Sequence, residues 1–319
     1  MPNATLRPAA VTALAEVAAR AEPTDPARVV ACLERILLGK RQQVRLALAC
    51  LLARGHLLIE DVPGVGKTTL AQALATTLGL PWTRVQFTSD LLPGDIVGVS
   101  VFDAASGGFE FREGPVFTSV LLADEINRAP PKAQSALLEA MEERQVSLDG
   151  TTRALGEDFF VIATQNPADQ LGAYPLPESQ LDRFLVGIEL GYPDPETERE
   201  LLERGDRRAE LATLEPVAGP ADLARWTAAT ETVHVAAPVL DYVLALLLDT
   251  RANGTGLSPR AGLALVRLAR AFALLEGRDH VLPEDVRELF PALAGHRLSG
   301  RVGAGRGMAR EVLERVPMP

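Results

Sequence analysis

Residues 56–69 read HLLIEDVPGVGKTT, and the rest of the chain takes its order from them. Residues 56–59 are a short apolar run, the pattern of a strand buried on both faces. Pro63-Gly64-Val65-Gly66 is a tight turn that no regular element absorbs. Lys67-Thr68-Thr69 then opens a helical pattern of Leu70, Ala71, Leu74 and Leu78, which Gly79 closes. Strand, glycine turn, Lys-Thr and helix is the arrangement of a phosphate-binding loop.

The chemistry asks for these residue types. Backbone N–H groups must approach phosphate oxygens closely, so the turn favours Gly64 and Gly66. The helix that follows offers unpaired N–H donors and a favourable dipole. Lys67 is placed to neutralise the β- and γ-phosphates and Thr68 to hold Mg²⁺, with Pro63, Val65 and Thr69 completing the binding turn. One departure is plain. The usual pattern G-x-x-x-x-G-K-[ST] begins with Gly where this chain has Asp61. The loop is therefore expected to start with a residue that resists positive φ, although Asp tolerates it better than most.

Bulk properties narrow the remaining classes. A chain of 319 residues makes one large or two ordinary domains, and a hydrophobic fraction of 47% is ample for a core. A net charge of −10 argues against a protein whose main task is non-specific binding to nucleic acid or to an anionic membrane. Two cysteines, Cys32 and Cys50, are too few for a disulfide framework. Both fall in helical apolar patterns, which fits buried free thiols and a reducing compartment. No apolar run reaches membrane-spanning length, and Glu16 and Arg20 interrupt the alanine-rich start, so a cytoplasmic protein without membrane insertion is expected.

The anchors downstream share one design. Residues 118–125, TSVLLADE, are an apolar run ending in two carboxylates, the C-terminal end of a buried parallel strand. After a phosphate loop, Asp124 is expected to hold Mg²⁺ through water and Glu125 to polarise the attacking water; the competing reading is an N-capping Asp. Residues 159–164, FFVIAT, are a second such strand, followed by Gln165-Asn166-Pro167. Asn166 either orients water beside a γ-phosphate or is a turn residue before proline. Between these anchors, residues 91–111 read as an inserted hairpin with a helical fragment, and Asp149-Gly150 marks another hairpin over residues 145–155. Residues 177–184, PESQLDRF, read as a short helix exposing Arg183 near its end.

The flanks are helical. A loosely held helix is expected over residues 11–21, then one carrying Val29, Leu33, Ile36 and Leu37 on one face, then one over 42–53. Leu38-Gly39-Lys40 is either an adenine contact or a plain helix–helix turn. From about residue 206 strand signals vanish, and segments 221–230, 238–252, 258–276 and 283–289 are helical. Ser258-Pro259-Arg260 puts a cation in a helix's first turn, where the dipole disfavours it. Arg260 therefore either faces an anion or is a solvated surface residue. His56, His234, His280 and His296 are scattered, and no Cys pair has zinc spacing.

The ordered set of motifs resembles the AAA+ ATPases, and its wording resembles the MoxR family among them. The strings that carry this are GHLLIEDVPGVGKTTLA, QFTSDLLPGDIVG, FREGPVFTSVLLADEINRAPPKAQSALLEAMEERQVSLDG, FVIATQNPADQLGAYPLPESQLDRF and LSPRA. The resemblance covers about residues 35–300. It implies an α/β fold: an AAA+ αβα core with a parallel sheet over residues 1–205, then a small helical lid domain over 206–319. By the same resemblance Lys67 and Thr68 belong to Walker A, and Asp124 and Glu125 to Walker B. Asn166 becomes sensor 1, Arg183 the arginine finger and Arg260 sensor 2, with Arg128 a second candidate for action on a neighbour. ATP and Mg²⁺ are the implied cofactors. A homo-oligomeric ring, a hexamer, is the implied assembly, with chaperone-like remodelling or activation of a partner as its output. Relatives often act with a von Willebrand factor A domain protein and on metalloenzymes. No nucleic-acid partner is expected; a nucleic-acid motor and a nucleotide-gated scaffold with little turnover are the alternatives.

Overall fold

The computed structural model describes residues 24–166, 173–204, 210–211, 213–254 and 256–319. The helix expected over residues 11–21 and the domain boundary expected at 205/206 lie outside the described residues. Among the described residues, nine strands alternate with helices through the first two thirds of the chain. Helix α1 (Pro26–Ile36) and α2 (Arg41–Leu52) lead into β1 (Leu57–Glu60), and α3 (Lys67–Thr77) follows the glycine turn. Next come β2 (Trp82–Gln86), α4 (Pro93–Val97), and the hairpin β3 (Gly98–Asp103) and β4 (Gly108–Glu113). Strand β5 (Val120–Asp124) is joined by a 3₁₀ turn to α5 (Pro131–Glu143), and β6 (Gln145–Leu148) and β7 (Thr151–Ala154) form a second hairpin. Strand β8 (Phe160–Gln165), α6 (Glu178–Leu181), β9 (Val186–Ile188) and α7 (Pro195–Arg204) complete this part.

The main sheet has the order β2-β5-β8-β1-β9 and every pairing in it is parallel. Its inner strands are fully buried, and successive residues alternate between two cores. Leu57, Ile59, Val120, Leu122, Phe160 and Ile162 point to one; Leu58, Leu121, Ala123, Val161 and Ala163 point to the other. Helix α5 covers the second face with Leu137, Leu138 and Met141, the residues its periodicity assigns inward. Because β1, β5 and β8 are parallel neighbours, their C-terminal ends lie together. Asp61, Glu125 and Asn166 leave the sheet side by side.

Among the described residues from 213 onward the helices are α8 (Pro220–Thr232), α9 (Ala237–Asn253), α10 (Pro259–Leu275), α11 (Pro283–Ser299) and α12 (Val302–Arg315). Val239, Val243, Leu246 and Leu247 bury one face of α9, as its spacing requires. Helix α11 is ten residues longer than the segment ending at 289 and carries Pro291 inside it; α12 has no counterpart in the sequence reading. Pro291, Gly295, Gly303, Gly305 and Gly307 are poor helix formers, so tertiary packing decides here. The glycines have a reason. A Cβ on Gly305 would run into the carbonyl oxygen of Gly295, so α11 and α12 cross backbone against backbone. Gly305→Val is expected to cost about 3 kcal/mol or more and to lower the thermal midpoint of the full chain by several degrees. A midpoint within one degree of wild type, read by calorimetry, contradicts this close crossing.

These helices are tied to the sheet by buried polar groups. Glu60, at the end of β1, accepts the Val302 amide at 3.1 Å and so caps the start of α12. His296 meets the Phe184 carbonyl at 2.9 Å. Arg297, also on α11, donates to the Asp182 carboxylate at 2.8 Å and to the Phe184 carbonyl at 2.7 Å.

Candidate active site

The turn after β1 behaves as its composition demands. Gly64 (φ +87°) and Gly66 (φ +99°) both occupy the left-handed region, and a side chain on Gly64 would meet open space. Their requirement is conformational. Asp61 answers the missing first glycine. It is absent from the positive-φ residues, so the expected backbone conflict does not arise. Its carboxylate instead accepts the Val62 amide at 2.8 Å and the Gly191 amide at 2.6 Å, pinning the turn to the chain after β9.

Lys67 opens α3 and bends back over the turn. Its Nζ donates to the carbonyls of Asp61 at 2.7 Å and Val62 at 3.2 Å, and to Asn166 Oδ1 at 3.3 Å. Burial pulls this ammonium below the ordinary lysine range, while the charges of Asp61, Asp124 and Glu125 pull it back. Asn166 donates from Nδ2 to Glu125 Oε1 at 3.2 Å. Lys67, Asn166 and Glu125 thus form one continuous chain across three strand ends. Glu125 adopts φ +58°, a left-handed conformation that its amide bond to Thr164 Oγ1 (2.9 Å) supports.

Three participants carry no motif of their own. Thr164 donates to Asp124 Oδ1 at 2.5 Å. Arg84 donates through Nε and Nη2 to Asp124 Oδ2 at 3.2 and 2.6 Å, and its Nη2 also reaches Gln86 Oε1 at 3.1 Å. Gln86 in turn donates to Glu125 Oε2 at 3.0 Å. Arg84 and Gln86 are two apart on β2, so they share a sheet face, and β2 pairs with β5. The alternation R-V-Q in residues 84–86 is the signal that could have singled them out. Arg128 reaches Glu125 Oε2 of its own chain at 2.9 Å.

Beside the turn lies a cleft of 680 Å³ lined in part by Leu37, Leu38, Val65, Tyr192 and Leu202. Its largely apolar lining with a few polar groups suits a heteroaromatic base. Leu38 and Lys40 both line it, and Lys40 Nζ holds the carbonyls of Gly191 and Tyr192 at 3.1 and 2.9 Å. Thr69 also faces this cleft, and Thr68, next to Lys67, is partly buried. The groups fit the expected cargo: open left-handed glycines and a lysine for phosphates, and a hydroxyl and a carboxylate for a hard divalent cation.

Arg183 and Arg260 are elsewhere. Helix α6 stops at Leu181, and Arg183 is half-buried beyond it, its Nη2 paired with Glu142 Oε2 at 2.9 Å. Arg260, in the first turn of α10, pairs with Glu142 Oε1 at 3.0 Å. The cavity they line, 300 Å³, includes His56, which precedes β1, whereas the glycine turn follows β1. The two clusters therefore occupy opposite ends of the sheet, on the order of 15 Å apart along the strand. His56 adds no charge to the arginine end: burial pushes its pKa down to about 3, and it bonds the Met141 carbonyl and the Val161 amide.

The parallel sheet, the lysine-bearing glycine turn and the strand-end carboxylates define a phosphate-loop ATPase with a helical lid. Residues 56–186 match the model of the ATPase family associated with various cellular activities, and residues 248–316 match the AAA lid domain. The chain is 43% identical to the uncharacterized protein YeaC of Bacillus subtilis, covering 92% of this chain and 94% of that one. It is also 43% identical to the chaperone MoxR1 of Mycobacterium tuberculosis, covering 85% of this chain and 74% of that one. The crystal structure of a protein assigned as an ATPase from Cytophaga hutchinsonii superposes with a TM-score of 0.81 at 33% identity, over 97% and 99% of the two chains. The chain belongs to the MoxR family of AAA+ ATPases.

Proposed function

We propose that this ATPase hydrolyses Mg²⁺-ATP at the junction between two copies in a ring, a hexamer by family resemblance, and uses the cycle to remodel a partner protein. The observation that carries the reading is the division of the charged groups. Lys67, Asp124, Glu125 and Asn166 gather at one end of the sheet, and Arg183 and Arg260 share a carboxylate at the other. In a head-to-tail ring, the arginine end of one subunit meets the phosphate end of the next.

In that arrangement the amides of the 64–68 turn and Lys67 bind the β- and γ-phosphates. Thr68 and Asp124 would hold Mg²⁺, which would neutralise phosphate charge when bound. Arg84 and Thr164 fix the Asp124 carboxylate in place. Glu125 takes up the proton of the attacking water, with Asn166 orienting it, and the neighbour's Arg183 and Arg260 meet the charge that develops on the transferred group.

Remodelling as the output draws on the likeness to a relative named a chaperone. It also draws on the two hairpins, β3–β4 and β6–β7, which together line a 770 Å³ cleft near exposed Phe102 and Phe109. A von Willebrand factor A domain protein and a metalloenzyme client are the partners the family resemblance suggests. No helix among the described residues is long and apolar enough to cross a membrane.

The test is concentration. Because each site is completed by a second copy, turnover per chain is expected to rise steeply with protein concentration, in step with ring assembly followed by light scattering. Full turnover by a chain that scatters as a monomer contradicts the shared site.

A further inference from the structure

Arg183 and Arg260 come from distant parts of the chain, 77 positions apart in sequence by their numbers, yet they end on one carboxylate. Glu142 lies one residue before the end of α5. Each of its oxygens takes one guanidinium, Oε2 from Arg183 at 2.9 Å and Oε1 from Arg260 at 3.0 Å. Glu142 and Arg183 are about equally shielded, with side-chain exposures of 31% and 29%, while Arg260 is 64% exposed. The surrounding charge makes this contact necessary. The same cavity is lined by Arg54, Arg144, Arg267 and Arg297, and its other carboxylate, Asp182, is taken by Arg297. Unscreened by an anion, the guanidiniums of Arg183 and Arg260 would repel each other and the remaining arginines.

We propose that Glu142 is a positioning residue that joins Arg183 and Arg260 into a single two-pronged unit for the neighbouring subunit's phosphates. This rests on the reading that these arginines act across the subunit junction. Glu142 itself touches no phosphate. Its placement on α5 adds a connection. The start of that helix is bound to the strand-end turn, where Gln134 Nε2 donates to the Ile126 carbonyl at 3.1 Å, two residues beyond Asp124. One helix therefore runs from a subunit's own carboxylates to the arginines it lends to the next.

The alternative role for Glu142 is a tether between sheet and lid, and the experiment separates the two. Full-length Glu142→Gln is expected to lose about 10²-fold in kcat, the cost of misplacing charged groups by about an ångström. Affinity for a fluorescent ADP analogue should stay within twofold, because the phosphate turn lies at the other end of the sheet. Mixed with Lys67→Ala subunits, Glu142→Gln subunits should regain turnover, since the first supply intact arginines and the second intact phosphate sites. Mixed with Arg183→Ala subunits they should regain none, because both lack the same half. Glu142→Asp keeps the charge but is one methylene shorter, and it should fall between wild type and Gln.

An unchanged kcat with a lowered thermal midpoint overturns the proposal in favour of a tether. Recovery in the Glu142→Gln and Arg183→Ala mixture, or loss of nucleotide binding by Glu142→Gln alone, overturns it as well. If Arg183→Ala and Lys67→Ala subunits also fail to rescue each other, the shared-site reading underneath has failed. If that control succeeds, the fault lies with Glu142.

Discussion

Glu125→Gln should bind ATP as the wild type does and turn it over at least about 10²-fold more slowly. The carboxylate is bonded to Asn166, Gln86 and Arg128, whereas Lys67 bonds the carbonyls of Asp61 and Val62 and the side chain of Asn166. An amide of the same shape can keep the bond to Arg128, but it cannot accept a proton from water. Nucleotide affinity, measured with a fluorescent analogue, and steady-state phosphate release give the two halves of the result. The variant is also the means of testing the proposed remodelling, since a proposed ring that holds ATP without release is expected to retain a client. A collapse of affinity in Glu125→Gln would mean that the side chain shapes the binding turn and does no chemistry on water.

Arg183→Ala is expected to lose about 10³- to 10⁵-fold in turnover, the range seen when an arginine is withheld from a transferred phosphoryl group. Its local contacts do not account for a loss of that size. The ion pair with Glu142 is partly exposed and, as a fold-stabilising contact, is worth no more than about 1 kcal/mol. Mixing Arg183→Ala with Lys67→Ala subunits should restore activity at those junctions where an intact phosphate site meets an intact arginine. Light scattering must show that both variants still assemble. Absence of recovery at every ratio would place Arg183 outside the shared site.

Why some of this was legible and some was not has a physical basis. The sheet could be read because each inner strand is a run of apolar residues that ends abruptly in chemistry: Asp61 after β1, Asp124 and Glu125 at β5, Asn166 after β8. Burial on both faces and adjacency in a parallel sheet then bring those ends together without further information. Arg84 was missed because an arginine on a half-exposed edge strand looks like a solvated residue until its pairing with β5 is known. Helix α12 was missed because its glycines serve a close crossing with α11 and weaken local helix propensity. Which end of the sheet Arg260 would reach depends on how the C-terminal helices dock. That is decided by contacts such as Arg297 with Asp182 and Val302 with Glu60, pairs separated by 115 and 242 positions. No local pattern encodes them.

Those same contacts have a mechanical meaning. The guanidinium of Arg297 is nearly sealed from solvent and satisfied by the segment that carries Arg183, and Glu60 clasps the first turn of the last helix from beneath the phosphate turn. Prising Arg297 from Asp182 would leave a buried guanidinium without its counter-charge, a cost of several kilocalories that thermal fluctuation rarely meets. These bonds hold α11 and α12 against the end of β1 and the segment that carries Arg183. In the proposed ring, stroke and leverage would then arise where one subunit slides against the next.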